Sequence, residues 1–98
     1  MTTSSTARVR CERPQRLATS LMSRFAAVAV TEWIAAEGRG HISWSSGAEV
    51  DMIAGDGVLL LHLECAAADV AQWEEAVARG FGDLGAEVEW KRAGVARG

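Results

Sequence analysis

Residues 58–65 read Val-Leu-Leu-Leu-His-Leu-Glu-Cys, and this stretch decides the fold. Leu59, Leu61, Leu63 and Cys65 share one phase of a two-residue period. The opposite phase carries His62 and Glu64. Such alternation is typical of a β-strand that is buried on one side only. The sheet that contains this strand is therefore expected to be covered on one face and open on the other.

Short glycine-bearing breaks separate this strand from the extended segments before it. They are Gly38-Arg39-Gly40, Ser46-Gly47 and Gly55-Asp56-Gly57. Breaks of this kind are typical of turns between antiparallel strands. We therefore predict strands at about residues 28–34, 40–45, 49–53 and 58–65, the last three of them as an antiparallel meander.

The flanking segments supply two further strands and two helices. Alternation over residues 6–11 and 86–91 predicts the first and last strands. Apolar residues at helical spacing predict one helix over residues 14–26 and another that Asp69 opens, with Gln72 completing a capping box. The order is β-α-β-β-β-β-α-β, which predicts an α+β fold: a two-layer, mostly antiparallel sheet of about six strands with two helices on one face.

The 98 residues fit a single domain. We place it at residues 6–92 and expect residues 1–5 and 93–98 to be flexible termini. Cys11 and Cys65 form no C-x-x-C pair, which favours reduced thiols over a disulfide or a zinc ribbon. No apolar stretch is long enough to cross a bilayer, so we predict no membrane contact and a cytoplasmic location.

Charge is unevenly distributed along the chain, although the formal net charge is only −3. Arginines dominate residues 1–30 and carboxylates dominate residues 31–90. Pairing of the two regions within the molecule accounts for this pattern better than nucleic-acid binding, which we do not favour.

Motifs that would carry chemistry lack their usual context. The G-x-G-x-x-G at Gly80–Gly85 follows a predicted helix instead of opening one, so it is interpreted as a helix end and not as a nucleotide site. His62 and Cys65 fall on opposite faces of one strand, and His41 would have to reach across the sheet to join either of them. We predict no catalytic residue, no metal site and no cofactor. The four tryptophans are assigned to core packing.

The open face supplies the candidate site. Arg8 and Arg10 share one phase of the first strand, and they would meet His62 and Glu64 if the two strands are neighbours. We predict this polar patch as the binding surface. Val28, Val30 and Ile34 also share a phase, and left exposed they would form a subunit contact in a homodimer.

A set of short motifs resembles a known family. They are Ala7-Arg8-Val9, Glu12-Arg13-Pro14, Glu32-Trp33, Gly40-x-Ile42-x-Trp44 and Val88-Glu89-Trp90. Together they resemble the bacterial domain of unknown function 2218 (DUF2218) over about residues 6–92. The resemblance implies a small α+β domain that is sometimes encoded beside, or fused to, flavin-dependent siderophore-interacting reductases.

The chain also departs from this family. Many members look to carry two histidines and a lysine after the first helix, where this chain has Arg24, Ala27 and Val28. Any metal or acid-base role that rests on those histidines is absent here.

The resulting hypothesis is a non-enzymatic binding or accessory module that engages a protein partner or a small ligand through its open sheet face or an exposed strand. Its context would be iron-uptake reductases. The alternative is a small ligand-binding protein or enzyme with a pocket between sheet and helices.

Overall fold

A six-stranded antiparallel sheet with two helices on one face makes up the fold, in a computed structural model that describes residues 1–92. Its elements are β1 (Thr2–Arg10), α1 (Pro14–Phe25), β2 (Val30–Ile34), β3 (Arg39–Ser43), β4 (Glu49–Ala54), β5 (Val58–Ala66), α2 (Val70–Asp83) and β6 (Glu89–Arg92). The strands lie in the order β2-β3-β4-β5-β1-β6. The predicted fold class and order of elements are confirmed.

Consecutive hairpins join β2 to β5, as the glycine-bearing breaks predicted. Gly38, Gly47 and Gly57 adopt positive φ angles of 64°, 99° and 71° in the three turns. Only glycine adopts such angles at no steric cost. β1 then pairs with β5 along its whole length and with β6 on its other side, so the first strand lies inside the sheet.

The core lies between the sheet and the helices. The apolar phase of β5 is buried there, with Leu59 and Leu63 fully buried and Leu61 and Cys65 nearly so. Helix α1 contributes Ala18, Leu21 and Met22, and α2 contributes Val70, Val77 and Phe81.

Two glycines let the layers approach closely. A Cβ added at Gly40 in β3 would come within 2.3 Å of Met22 and 2.4 Å of Trp33, so only glycine fits beneath α1. Gly80 in α2 faces Leu21 in the same way, at 2.9 Å from its Cδ1. The first glycine of the G-x-G-x-x-G thus serves helix packing, and the last, Gly85, has a φ of 81° just beyond the end of α2.

Several boundaries and one helix cap differ from the sequence-based expectation. β2 begins at Val30 instead of about residue 28, and β3 ends at Ser43 instead of about residue 45. β1 begins at Thr2, so residues 2–5 pair with β5 and the domain begins before residue 6. The capping box does not form: Asp69 precedes α2 but makes no side-chain cap hydrogen bond, because residues 67–69 are wound as a 3₁₀ turn. β6 covers Glu89–Arg92 instead of residues 86–91. The segment 93–98 lies outside the described residues.

All four tryptophans pack into or against the core. Trp44 lies between Phe25 and Trp73, with ring centroids 5.2 Å and 4.7 Å apart. The indole Nε1 of Trp90 donates to the Glu74 carbonyl oxygen at 3.1 Å. Within residues 1–92, no helix has both the length and the apolar character needed to cross a bilayer.

Candidate functional site

The face of the sheet opposite the helices, called here the open face, carries its side chains in rows that cross the strands. Antiparallel register places the first row at Val30, Ser43, Glu49, Glu64 and Ser4. The second row is Glu32, His41, Asp51, His62, Thr6 and Lys91. The third row is Ile34, Arg39, Ile53, Leu60, Arg8 and Glu89. Arg10 lies beyond the third row, opposite Val58.

All four residues of the predicted patch lie on this face. β1 and β5 are neighbours, and Arg8, Arg10, His62 and Glu64 are exposed. They do not form one compact cluster, because the arginines lie in and beyond the third row whereas Glu64 lies in the first. Their use as a binding surface stays a prediction.

Charge on the open face is polarised along the strands. Four of its five carboxylates belong to the first two rows and are Glu32, Glu49, Asp51 and Glu64. Its three arginines lie in or beyond the third row and are Arg8, Arg10 and Arg39. Lys91 and Glu89, both on the edge strand β6, run against this pattern. One end of the face is thus acidic and the other basic.

Exposed apolar side chains accompany these charges. Val30, Ile34 and Ile53 are 73%, 42% and 44% exposed, and all three occupy the open-face phase of their strands. In β2, Trp33 therefore points to the covered side of the sheet, and Val30 and Ile34 remain in solvent. Val28, at 67% exposure, lies in the turn before β2.

His41 sits between two carboxylates of the neighbouring strand. Its Nδ1 lies 2.6 Å from Asp51 Oδ1 and its Nε2 lies 3.0 Å from Glu49 Oε1. A protonated imidazole donates to both at once. Both ring nitrogens of His41 thus contact carboxylates, and neither is directed at Ser43, which shares its strand face.

Asp51 is the cross-strand partner of both histidines of the chain. Sequence spacing alone could not show this neighbourhood, since it depends on the register of three strands. His41 nevertheless directs its two nitrogens at different carboxylates. Among residues 1–92, no three histidine, cysteine, aspartate or glutamate side chains are arranged to hold a metal ion.

Neither thiol is activated for nucleophilic chemistry. Burial raises the pKa of Cys11 and Cys65, and at Cys65 the nearby carboxylates of Asp69 and Glu74 raise it further. A raised pKa lowers the thiolate fraction on which reactivity depends.

A trough of ≈ 820 Å³ runs along the open face over β4, β5, β1 and β6. Ile53 and Leu60 line its floor, and Arg8, His62 and Lys91 also border it. The space between sheet and helices is instead filled by core side chains such as Leu21, Met52 and Phe81, which are fully buried. The trough therefore lies on the open face, where the polar patch was predicted, and not between sheet and helices, where the alternative interpretation placed a pocket.

A second polar cluster joins β6 and β1 to α2 on the covered side. The fully buried Ser5 donates its hydroxyl to Glu74 at 2.6 Å, and Arg92 donates to both carboxylate oxygens at 2.8 and 3.1 Å. The Arg92 hydrogen bonds are the main cause that lowers the pKa of Glu74; burial opposes them and Ser5 assists. Glu74 is thus largely buried, with a side chain only 12% exposed.

At the three positions where relatives look to carry histidines and a lysine, this chain has one ion-paired residue and two exposed residues. Arg24 forms an ion pair with Asp83 that links the ends of α1 and α2. Ala27 and Val28 are exposed in the turn that leads into β2.

Comparisons with known proteins bear on the family and the fold of the chain. The model of the family described as "Uncharacterized protein conserved in bacteria (DUF2218)" matches residues 6–91. No curated protein matches the chain. Among solved structures, the NMR structure of PA4090 from Pseudomonas aeruginosa is similar, with a TM-score of 0.71 and 21% sequence identity over 91% of this chain and 95% of that one. At this identity, the likeness shows a shared fold.

Proposed function

The chain belongs to the DUF2218 family of uncharacterized bacterial proteins, and we propose that it is a non-enzymatic interaction module that binds a protein partner through the open face of its sheet. The observation that carries the proposal is the exposure of Val30, Ile34 and Ile53 on that face, between rows of charged side chains. Ile53 and Leu60 are cross-strand neighbours there, and apolar side chains with a polar surround are typical of interaction sites.

The contrast with the covered side supports the proposal. The two helices leave no apolar strand residue of the covered side more than half exposed, and they leave the open face without a layer of its own. A non-enzymatic role is supported by the engagement of both His41 nitrogens and by the raised pKa of both thiols.

Capture experiments with paired variants test the proposal. Tagged wild-type protein and the open-face variants Ile53→Lys and Arg8→Glu are compared with Arg16→Glu. This control makes the same charge change as Arg8→Glu, at an exposed position of α1. A partner from a lysate of the native host should be retained by wild type and Arg16→Glu and lost by both open-face variants. Retention by the open-face variants, or equal loss from Arg16→Glu, would contradict the proposal.

Small-ligand binding is a second candidate, and the trough favours it. Its volume of ≈ 820 Å³ lies within the range of small-molecule sites. Native mass spectrometry of freshly purified protein distinguishes the candidates: a stoichiometric adduct that Leu60→Lys removes would establish ligand binding and displace the protein partner as the primary role.

The iron-uptake context and the cytoplasmic location stay proposals. Siderophore-interacting reductase is the partner to test first, by the same capture assay with purified enzyme. Open-face-dependent binding would support that context, and its absence at high micromolar concentration would remove it.

A further inference from the structure

We propose that the open face binds a second copy of this chain, in a two-fold dimer that places the arginines of one face over the carboxylates of the other. This inference rests on the proposed function, because it names the partner of the same surface.

The first step of the argument is charge complementarity. In a face-to-face dimer, a two-fold axis between the sheets that runs across the strands reverses the strand direction in the second copy. The acidic rows of one copy then lie over the basic rows of the other, and the reverse holds by symmetry. An axis parallel to the strands, between β4 and β5, would instead set like charges over each other, with Glu49 over Glu64 and Arg8 over Arg39, which costs energy.

The register turns this arrangement into specific pairs. With the axis between the second and third rows, Glu64 faces Val58 of the second copy, and Arg10 is the direct neighbour of Val58. Glu32 faces Ile34, whose neighbour is Arg39. We therefore expect Glu64–Arg10 and Glu32–Arg39 ion pairs, each formed twice.

Apolar contact comes from the same geometry. The third row carries Ile34, Ile53 and Leu60 and lies directly beside the axis. In this register the third row of one copy lies over the second row of the other, with Ile53 over Asp51 and Leu60 over His62, and the two Ile53 side chains lie on either side of the axis.

The available area suits a weak dimer. The four rows hold nineteen side-chain positions, and at about 4.8 Å between strands and about 7 Å between rows they give roughly 600 Å² for each copy. A total of about 1,200 Å² is at the low end for specific complexes, so association should depend on concentration over the micromolar range.

A dimer through the free edge of β2 is the competing arrangement. Antiparallel pairing of two β2 strands about Glu32 would match Val30 with Ile34 of the second copy, but it would place Glu32 directly opposite Glu32. Like charges opposite each other destabilise a strand pair. The open face has no such conflict.

Sedimentation velocity over roughly 1–500 μM tests the dimer with two variants. Ile53→Glu should weaken association at least tenfold, because it places a carboxylate over Asp51 of the second copy. Val28→Glu, the matched control, adds the same charge at an exposed apolar residue outside the face and should leave association unchanged within about twofold.

A charge exchange tests the orientation. Arg10→Glu with Arg39→Glu makes the face largely acidic, whereas Glu32→Arg with Glu64→Arg makes it largely basic. Each double variant alone should be monomeric, and an equimolar mixture should form a 1:1 heterodimer that Ile53→Glu in either chain disrupts. Failure of the mixture to associate, or association that Ile53→Glu leaves unchanged, would overturn the proposed arrangement.

The outcomes separate this inference from the function on which it rests. A wild-type monomer at every concentration overturns the second copy as partner. If open-face variants still lose a captured protein, the interaction module stands with a different partner. If they lose nothing, both proposals fail.

Discussion

The covered face and the open face of the sheet are built from the same strands and differ at every alternate residue. In β5, Leu61 and Leu63 are 3% and 0% exposed, whereas His62 and Glu64 between and beside them are exposed. The covered face is sealed by two helices, with glycines where the layers approach most closely. The open face keeps isoleucine and valine in solvent between charged rows. Stability is thus concentrated on one side of the sheet, and the residues available for recognition lie on the other.

The largest expected effect on stability distinguishes two leucines of β5, one on each face of the sheet. Leu63→Ala should lower the free energy of unfolding by about 3 kcal/mol, because it leaves a cavity in the core. Leu60→Ala, on the open face of the same strand, should cost less than about 1 kcal/mol, since its surroundings are open to water. Urea denaturation measures both. Equal losses would show that the open face contributes to the folded core.

The close approach of α1 to β3 gives the next effect. Gly40→Ala should destabilise the protein by about 1–3 kcal/mol, because the new Cβ overlaps Met22 and Trp33. Gly82→Ala is the matched control: nothing lies within 4 Å of its Cβ position in α2, and the change should stabilise the helix by up to about 1 kcal/mol. Thermal denaturation distinguishes the two. A neutral Gly40→Ala would mean that α1 can move away from the sheet.

The smallest effect concerns Glu74, the carboxylate that lies on the covered side of the sheet. Glu74→Gln should cost about 1–2 kcal/mol at neutral pH, because the buried Ser5 hydroxyl and Arg92 lose a charged partner. The adjacent Glu75→Gln should cost under about 0.5 kcal/mol, since Glu75 and Arg79 form an exposed pair.

Acid should remove the difference in stability between wild type and Glu74→Gln. The pKa of Glu74 lies below its ordinary value of 4.5 in the folded protein, so its ionised form stabilises the fold. That contribution is fully present above about pH 4.5 and is lost as pH falls through the lower folded value. Urea titrations of wild type and Glu74→Gln between about pH 2 and 7 should therefore converge in acid. A gap that persists at the lowest pH would assign the cost of Glu74→Gln to packing alone.

Local patterns in the sequence predicted the elements and the faces, but not the pairings between distant residues. The two-residue period of β5 and the glycine-bearing turns each depend on neighbours in the chain, and these expectations are confirmed. The position of β1 between β5 and β6 depends on contacts about 60 and 85 residues away along the chain, which no local pattern records. The same holds for Asp51 between the two histidines.

Side-chain roles were harder to predict where two local signals compete. Asp69 and Gln72 have capping-box spacing, yet residues 67–69 are wound as a 3₁₀ turn whose first amide donates to the Met1 carbonyl oxygen. Glu74 and Glu75 look alike in sequence, and only the packing of α2 against β1 distinguishes them. The signal that could have identified Glu74 is its spacing, four residues after Val70 and three before Val77, on the face that α2 buries.

The placement of β1 also bears on how the molecule reaches its native state. β2 to β5 are joined by short turns and can pair as each hairpin is completed, which is fast because few residues separate the partners. β1 is the first strand in the chain, yet its partners in β5 and β6 come last. Closing these long loops carries the largest entropic cost. We therefore expect the sheet to assemble from β2 toward β5, and β1 to pair with it afterwards.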